Sequence, residues 1–513
     1  MPTYLSPGVY VEEMEAGSAP IEGVGTAVAA FVGIAERGPV NEPVLVTNWS
    51  QFTQTFGDFV EGSYLAHSVY GYFLNGGGAC YVVRIGQNGN GSNVPTAAAE
   101  LTAGTGAKAT PSLKVEAIEG GPAGNDISVE VADSGDGDDK PEDAFKVIVK
   151  KDGKKVEEFD KVTTKKGARN VVQVVNATSQ LIRIAEASRG QVAVPNKGSV
   201  SLAGGALPEP TPLAPDDYVG DSADRTGFGG LEAIDPITMV CVPDLMAAYQ
   251  QGMLELEQVQ AVQLAMIAHC ELMGDRVAIL DPPPGLNAQQ IREWRVDKAG
   301  YDSKYAALYW PWIKVMDPST GDNIHIPPSG YMAGIWGRND DTRGVHKAPA
   351  NEVVRGAVSL ELQITKSEHD LLNPEGINCI RAFPGRGVRV WGARTLSSDP
   401  AWRYLNVRRL FNYLEESILG GTQWAVFEPN DQALWSKIRR SISAFLVNEW
   451  RKGALFGLTP NEAFYVKCDE ETNPAEAIDA GMVTCEIGIA PVKPAEFVIF
   501  RLSQYSGGAA LTE

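Results

Sequence analysis

Three residues of this 513-residue chain could do nucleophilic chemistry: Asp244 in ITMVCVPD, His269 in a helix-like run, and Ser329 in PPSGYMAG. Brought together, they would let the histidine take the serine proton while the aspartate steadied the imidazolium, as in a serine hydrolase. Their order along the chain, Asp then His then Ser, is the subtilisin order. The contexts argue the other way. Asp244 stands in VPDL rather than a D-T-G turn, and His269 has no H-G-T-H flank. A triad is defined by geometry and not by order, so a subtilisin-like hydrolase is the weakest of the functional readings.

Other chemistry is scarcer still. GTGAKAT at residues 104–110 only brushes against a phosphate-binding loop and follows no buried strand, while HExxH, GxSxG and GxGxxG do not occur. The acidic run DSGDGDDKPED from Asp133 lacks the alternating order and distal Glu of a calcium loop and reads as a solvated hairpin loop. His269-Cys270 reads as a packed helix face rather than a ligand pair. Glu12-Glu13, Asp340-Asp341 and Glu415-Glu416 read as surface charge. The six cysteines show no CxxC spacing and several lie in apolar runs, so reduced core thiols are expected. No catalytic residue, cofactor or metal is expected. A net charge of −20 argues against a nucleic-acid partner. The longest apolar run, near Val28 to Ile34, is far short of the ~20 residues that cross a bilayer, and MPTYLSPGVYVEE is no secretory signal. A soluble protein made in the cytosol, without membrane insertion, is expected.

The elements that must position these residues point to about three or four domains. Residues 1–20 read as an extended N-terminal arm, punctuated by Pro2 and Pro7-Gly8, with Val9, Tyr10 and Val11 favouring a strand. Residues 21–94 begin a core: a buried strand over Thr26 to Ile34, a helix over 64–75 stopped by three glycines, and the strand YVVRI. Residues 95–212 read as an inserted, mostly β outer domain. There Asp152-Gly153 between alternating runs signals a hairpin, and LPEPTPLAPDD closes the segment as a linker. Over 213–349, ITMVCVPD, a helix from Glu255 to Met273, DRVAILDPP, a helix from Ala288 to Ala299 and the strand AALYWPWIKVMD alternate. Such alternation predicts a largely parallel sheet with covered faces.

Residues 350–493 form the last, α+β domain. Five of the ten tryptophans fall between Trp391 and Trp450, in a block rich in arginine but without His or Cys. Those residue types suit contact surfaces. Asp399-Pro400 is expected to start a helix that Gly420-Gly421 stops, with Val407, Leu410, Phe411, Leu414 and Ile418 as its apolar stripe. A second helix, about Asp431 to Trp450, should turn Leu434, Ile438, Ile442, Phe445 and Leu446 inward and leave Lys437, Arg440, Asn448 and Arg451 outside. Residues 494–513 are a C-terminal strand and tail in which Phe497, Val498, Ile499 and Phe500 are strand-like.

An ordered set of segments spans nearly the whole chain: YLSPGVYVEE, TAVAAFVGIAERGPVNEPVLVTNWSQFTQTFG, YLAHSVYGYFLNGGGACYVVRI, GGPAGNDISVEV, SGYMAGIWGRNDDTRGVHKAPAN, GVRVWGARTL, WAVFEPNDQALWSKI, FLVNEWRKGALFG and AEFVIFRLSQ. In this set the chain resembles the contractile tail sheath proteins of myophages and of phage-tail-like injection particles. The resemblance implies a structural, non-enzymatic subunit that polymerises as stacked helical rings around an inner tube. Assembled in a metastable extended state, it would contract to drive the tube through a target envelope. It also implies a subtilisin-like α/β central domain without a working triad. Implied partners are further copies of the chain through swapped terminal strands, the inner tube protein, and baseplate and tail-terminator proteins. Assembly is expected in the bacterial cytoplasm, as part of a phage tail or a released injection particle. Val9, Tyr10, Val11 and Phe497–Phe500 would then be inter-subunit arms, each adding to a neighbour's sheet. Lys437, Arg440 and Arg451 are the candidate surface facing the tube, where a cationic patch can hold an acidic partner. The alternative is a self-assembling tube or shell component that never contracts.

Overall fold

A computed structural model describes residues 20–86, 95–104, 110–135, 143–187, 192–206 and 213–501. The N-terminal arm with Val9, Tyr10 and Val11, most of GTGAKAT, most of the acidic run from Asp133, and the start of the proline-rich linker lie outside the described residues. The chain folds as two compact units, one of residues 87–212 and one of residues 1–86 with 213–513.

The larger unit is built on one eight-stranded sheet. Its strand order is Gly387–Val390, Ile377–Phe383, Ala306–Trp310, Val277–Leu280, Met239–Cys241, Val28–Gly33, Ala79–Arg84, Val44–Val46. The inner pairs are all parallel and the two edge pairs antiparallel. Runs such as VAAFVG and AALYW are apolar throughout because both faces are covered. Successive side chains therefore feed different cores. Ala30 and Val32 pack with Trp294, Trp310 and the Leu256–Met273 helix on one face. Ala29 and Phe31 pack with Tyr72, Tyr309 and Trp336 on the other. On that second face the helices Leu65–Asn75 and Ser329–Arg343 lie backbone to backbone. A Cβ on Gly330 would sit 2.5 Å from Ser68 Cα, and one on Gly334 would sit 2.4 Å from Tyr72 O. Only glycine permits that approach.

Several expected elements change. AALYWPWIKVMD is two strands, Ala306–Trp310 and Ile313–Met316, and the second joins a separate three-stranded antiparallel sheet. Pro311 has no N–H to extend the ladder. The expected helix over 288–299 is α-helical only at Ala288–Glu293 and continues as a π-helical turn, Trp294–Ala299. Asp399 does not start a helix: its Oδ1 accepts from Ala401 N (2.8 Å) in a turn, and the helix is Leu405–Gly421. Extended pairing intervenes, with Thr395 N donating to Arg403 O (2.9 Å). The parallel sheet also runs past residue 349, taking its last two strands from Ile377–Phe383 and Gly387–Val390.

After the sheet, the Leu405–Gly421 and Gln432–Arg451 helices share a core of Leu410, Leu414, Leu434, Ile438, Ile442, Phe445 and Leu446. Asp431 caps the second helix by accepting from Leu434 N (2.9 Å). The hairpin of Phe464–Lys467 and Glu486–Ile489 packs on this pair through Phe464, Val466 and Ile489.

The smaller unit has its own core. Its four-stranded antiparallel sheet runs in the order Gly198–Ser201, Ile127–Asp133, Phe145–Lys151, Lys154–Val162, beside a three-stranded sheet of Ala98–Ala103, Thr110–Ala117 and Ile182–Glu186. Asp152 and Gly153 turn the hairpin with φ of 52° and 73°, the paired positive values of a tight two-residue turn.

Candidate functional site

The triad residues do not assemble. Each is held by different partners, and among the described residues none hydrogen-bonds another. Asp244, wholly buried, follows the strand Met239–Cys241 and accepts from Ile34 N (2.6 Å), Leu65 N (3.0 Å), Ser63 Oγ (2.9 Å) and Tyr64 N. It thereby supplies the N-terminal cap that the Leu65–Asn75 helix lacks from its own sequence. His269 Nε2 lies 3.5 Å from Arg276 Nη1, and burial followed by that guanidinium pushes the imidazole down to about 4. Ser329 opens the Ser329–Arg343 helix, and its N–H donates to Asp281 Oδ1 (2.9 Å). The carboxyl ends of parallel strands are the usual place for ligands in such sheets. Here the two carboxylates at those ends, Asp244 and Asp281, are consumed as helix caps.

Burial raises Asp244 to about 6 and Asp281 to about 7 against the hydrogen bonds that favour the charged forms. For a folded pKa lying above the unfolded one, the stabilising contribution is complete below the unfolded value of 3.8 and is lost progressively as pH rises to about 6 for Asp244 and about 7 for Asp281. Asp281→Asn keeps an acceptor for Ser329 N and should flatten the fall in stability between about pH 4 and 7. The effect is on the order of a few kcal/mol at most. Urea denaturation at stepped pH reads it, and an unchanged slope would refute the assignment.

Asp340 is not the surface charge expected. Its side chain and that of Arg409 are each 4% exposed and joined at 2.6 and 2.9 Å. Arg409 also donates to Thr26 O (3.0 Å) and lies over the Trp336 ring, 4.7 Å from its centroid. Asp341 is exposed, and Glu415 lies half-exposed beside Arg408. The arginines of the tryptophan-rich block thus largely serve the interior. Of its tryptophans only Trp435 is fully buried, donating to Asn430 Oδ1 (2.8 Å). Trp391, Trp402, Trp424 and Trp450 are half-buried.

The surface that stands out lies at the end of the chain. Val492 O accepts from Asn406 Nδ2 (3.1 Å), and Glu496 is clamped by Arg394 at 2.9 and 2.5 Å. Beyond this anchor Phe497, Val498, Ile499 and Phe500 are 74%, 69%, 78% and 85% exposed, in backbone with no regular structure. Among the described residues no strand pairs with this strand-like run. The Phe464–Lys467/Glu486–Ile489 hairpin is a two-stranded sheet that no further strand joins among the described residues. Two strands alone are marginal in water. Phe456, Leu458 and Tyr465 are exposed around it.

On the Gln432–Arg451 helix, Arg440 and Arg451 are exposed and near one line, while Lys437 is half-buried with Nζ 4.4 Å from the Trp424 ring centroid. Arg440 lines a groove of about 730 Å³ between this helix and the hairpin, together with Ser436, Arg439, Ser443, Phe464 and Tyr465. Arg439 is turned inward and donates to Cys468 O (2.8 Å). The Arg394–Glu496 and Arg409–Asp340 pairs were invisible in the sequence. Their partners lie 102 and 69 residues apart, and no local signal links them. Among the described residues no cluster of three or more His, Cys, Asp or Glu could hold a metal, and no helix is long and apolar enough to cross a membrane.

Residues 237–396 match the model of the phage tail sheath protein central domain, and residues 397–504 that of the phage tail sheath C-terminal domain. The two matches adjoin and together cover just over half of the chain. The chain belongs to the phage tail sheath family. It is similar to the tail sheath protein of Burkholderia phage BcepMu, 25% identical over 502 residues, covering 92% of this chain and 91% of that protein. It is 27% identical over 262 residues to the tail sheath protein of Vibrio phage KVP40, covering 47% of this chain. The match spans only 38% of that longer sheath protein. In three dimensions it is similar to the helical sheath of the anti-feeding prophage in its contracted state. There the TM-score is 0.58 at 22% identity, covering 98% of this chain and 100% of the other. At that identity the likeness establishes a shared sheath fold.

Proposed function

We propose that this sheath-family chain is a non-enzymatic structural subunit that polymerises helically around an inner tube and contracts from a metastable extended state. The observation that carries the reading is the anchored, exposed apolar run Phe497–Phe500, unpaired among the described residues, in a chain that also holds a two-stranded sheet joined there by no third strand. An exposed strand-like arm and an open sheet edge in one molecule are complementary between copies, by strand addition. An arm given to one neighbour and a sheet offered to another make a head-to-tail contact, which yields a helical assembly when it does not close. The arms, with Val9, Tyr10 and Val11 proposed for the other end, keep subunits tethered while rigid cores repack, and such a bistable repacking needs no nucleotide. The central parallel sheet is read as a subtilisin-like α/β core whose strand-end acids were turned to capping. Baseplate and terminator proteins are proposed partners at the ends, with assembly in the bacterial cytoplasm. Electron microscopy of the purified, assembled particle tests the whole reading: long narrow and short wide forms are expected, and a single invariant form would mean a tube that never contracts.

Arg440 and Arg451, with Lys437 beside them, are the proposed face toward the tube. Exposed cations on one helix side favour an acidic partner, and wet charge contacts release readily. Lys437→Glu, Arg440→Glu and Arg451→Glu together should leave the monomer's circular dichroism unchanged but prevent assembly on tubes. Co-sedimentation with tubes at the wild-type level would overturn this assignment.

A further inference from the structure

We propose that Cys468 and Cys485 form a redox-sensitive disulfide across the outer end of the Phe464–Lys467/Glu486–Ile489 hairpin. The register pairs Phe464 with Ile489, Tyr465 with Gly488, Val466 with Ile487 and Lys467 with Glu486, so the next facing pair is Cys468 and Cys485. Ala490 N donates to Ala463 O (2.8 Å), which makes that pair and every second one after it hydrogen-bonded. Cys468 and Cys485 therefore fall at a non-hydrogen-bonded position. Facing Cα atoms there lie about 4.5 Å apart with side chains close together, inside the roughly 4.4–6.8 Å that a disulfide spans.

The side chains meet as the register requires, each thiol lying within hydrogen-bonding reach of the other. The backbone on both sides is fixed. Arg439 donates to Cys468 O (2.8 Å), and Asn473 both donates to Thr484 O (3.0 Å) and accepts from Thr484 N (2.6 Å). The sheet cysteines have no such mate: Cys80 faces Ala29, Cys241 faces Phe31 and Cys379 faces Trp310. Cys270 is buried on a helix.

Cys485 is half-buried and Cys468 fully buried, so Cys485 is the thiol an oxidant reaches first. Its thiolate attacks a small-molecule disulfide such as oxidised glutathione, forming a mixed disulfide and expelling one glutathione thiolate. The Cys468 thiolate then displaces the second. Two protein thiols and one glutathione disulfide become one protein disulfide and two glutathione thiols, so the protein loses two electrons and two protons. Burial pushes the Cys485 thiol up to about 12, so the exchange is slow at neutral pH and faster in alkali. The bond would brace the hairpin read above as the receiving sheet. That consequence for assembly rests on the proposed function, whereas the bond itself does not.

The test is disulfide mapping of the full-length protein incubated with oxidised glutathione at about pH 8, alkylated, and digested without reductant. A Cys468–Cys485 cross-linked peptide is expected, with free thiols falling from six to four. Cys485→Ser, at the less buried position, should give no cross-link and five thiols throughout. Six thiols after oxidation, a glutathione adduct that persists on Cys485, or a bond joining other cysteines would each overturn the proposal. Filament formation is scored separately by microscopy, so failure of the receiving-sheet reading leaves the mapping result standing.

Discussion

Deletion of residues 497–513 is expected to leave a folded monomer that no longer forms filaments. The cut falls just after Glu496, so Arg394 keeps the carboxylate that pairs with it at 2.5 Å. A deletion starting at 494 would strand that guanidinium, whose side chain is only 9% exposed, and confound folding with assembly. The deleted Phe497–Phe500 make no core contact, each being more than two thirds exposed, so their loss costs the monomer little. In the assembly they would lose that exposure. Four such side chains, each contributing about 1.5–3 kcal/mol on full burial, plus the ladder hydrogen bonds of an added strand, exceed what a weak interface can forgo. Thermal melting should match the intact chain while sedimentation shows only monomers or short oligomers. Filaments of ordinary length from the truncated protein would show that the tail is not the linkage.

Arg409→Met should destabilise the larger unit by roughly 3–5 kcal/mol, the usual cost of stranding one member of a buried ion pair. Methionine keeps most of the volume but removes the cation over Trp336 and leaves Asp340, 4% exposed, without its counter-charge. Three elements lose their common tie: the chain entering the first strand at Thr26, the Ser329–Arg343 helix carrying Asp340, and the Leu405–Gly421 helix carrying Arg409. Adding Asp340→Asn removes the stranded charge and should recover much of the loss. Urea denaturation of the single and double variants decides it. A single variant as stable as the parent would mean that water or another cation reaches Asp340.

The helix Asp431 caps and the Asp152-Gly153 hairpin could be read from the chain because covalent neighbours decide them. The unbroken apolar runs announced a sheet covered on both faces, since no half-exposed strand tolerates VAAFVG or AALYW. Elements whose limits depend on contacts from elsewhere were misjudged. Asp399 has the look of a helix start but sits in a turn, because Thr395 draws residues 402–404 into extended pairing before the helix can begin. Residues 306–316 read as one strand because both halves are apolar, although they serve two sheets.

By itself the sequence determined the class of this protein. Ordered segments along its length carried the sheath likeness. Only the tertiary structure decided what the chemically suggestive residues do. Asp244, His269 and Ser329 keep the order of a triad in the chain, but in space they are a helix cap, a buried imidazole beside Arg276, and the first residue of a helix capped by Asp281. Asp340 looks like half of a surface acid pair until Arg409, 69 residues later, is folded against it. Burial and charge pairing act through distances in space, and those distances do not exist until residues far apart in the chain have been brought together.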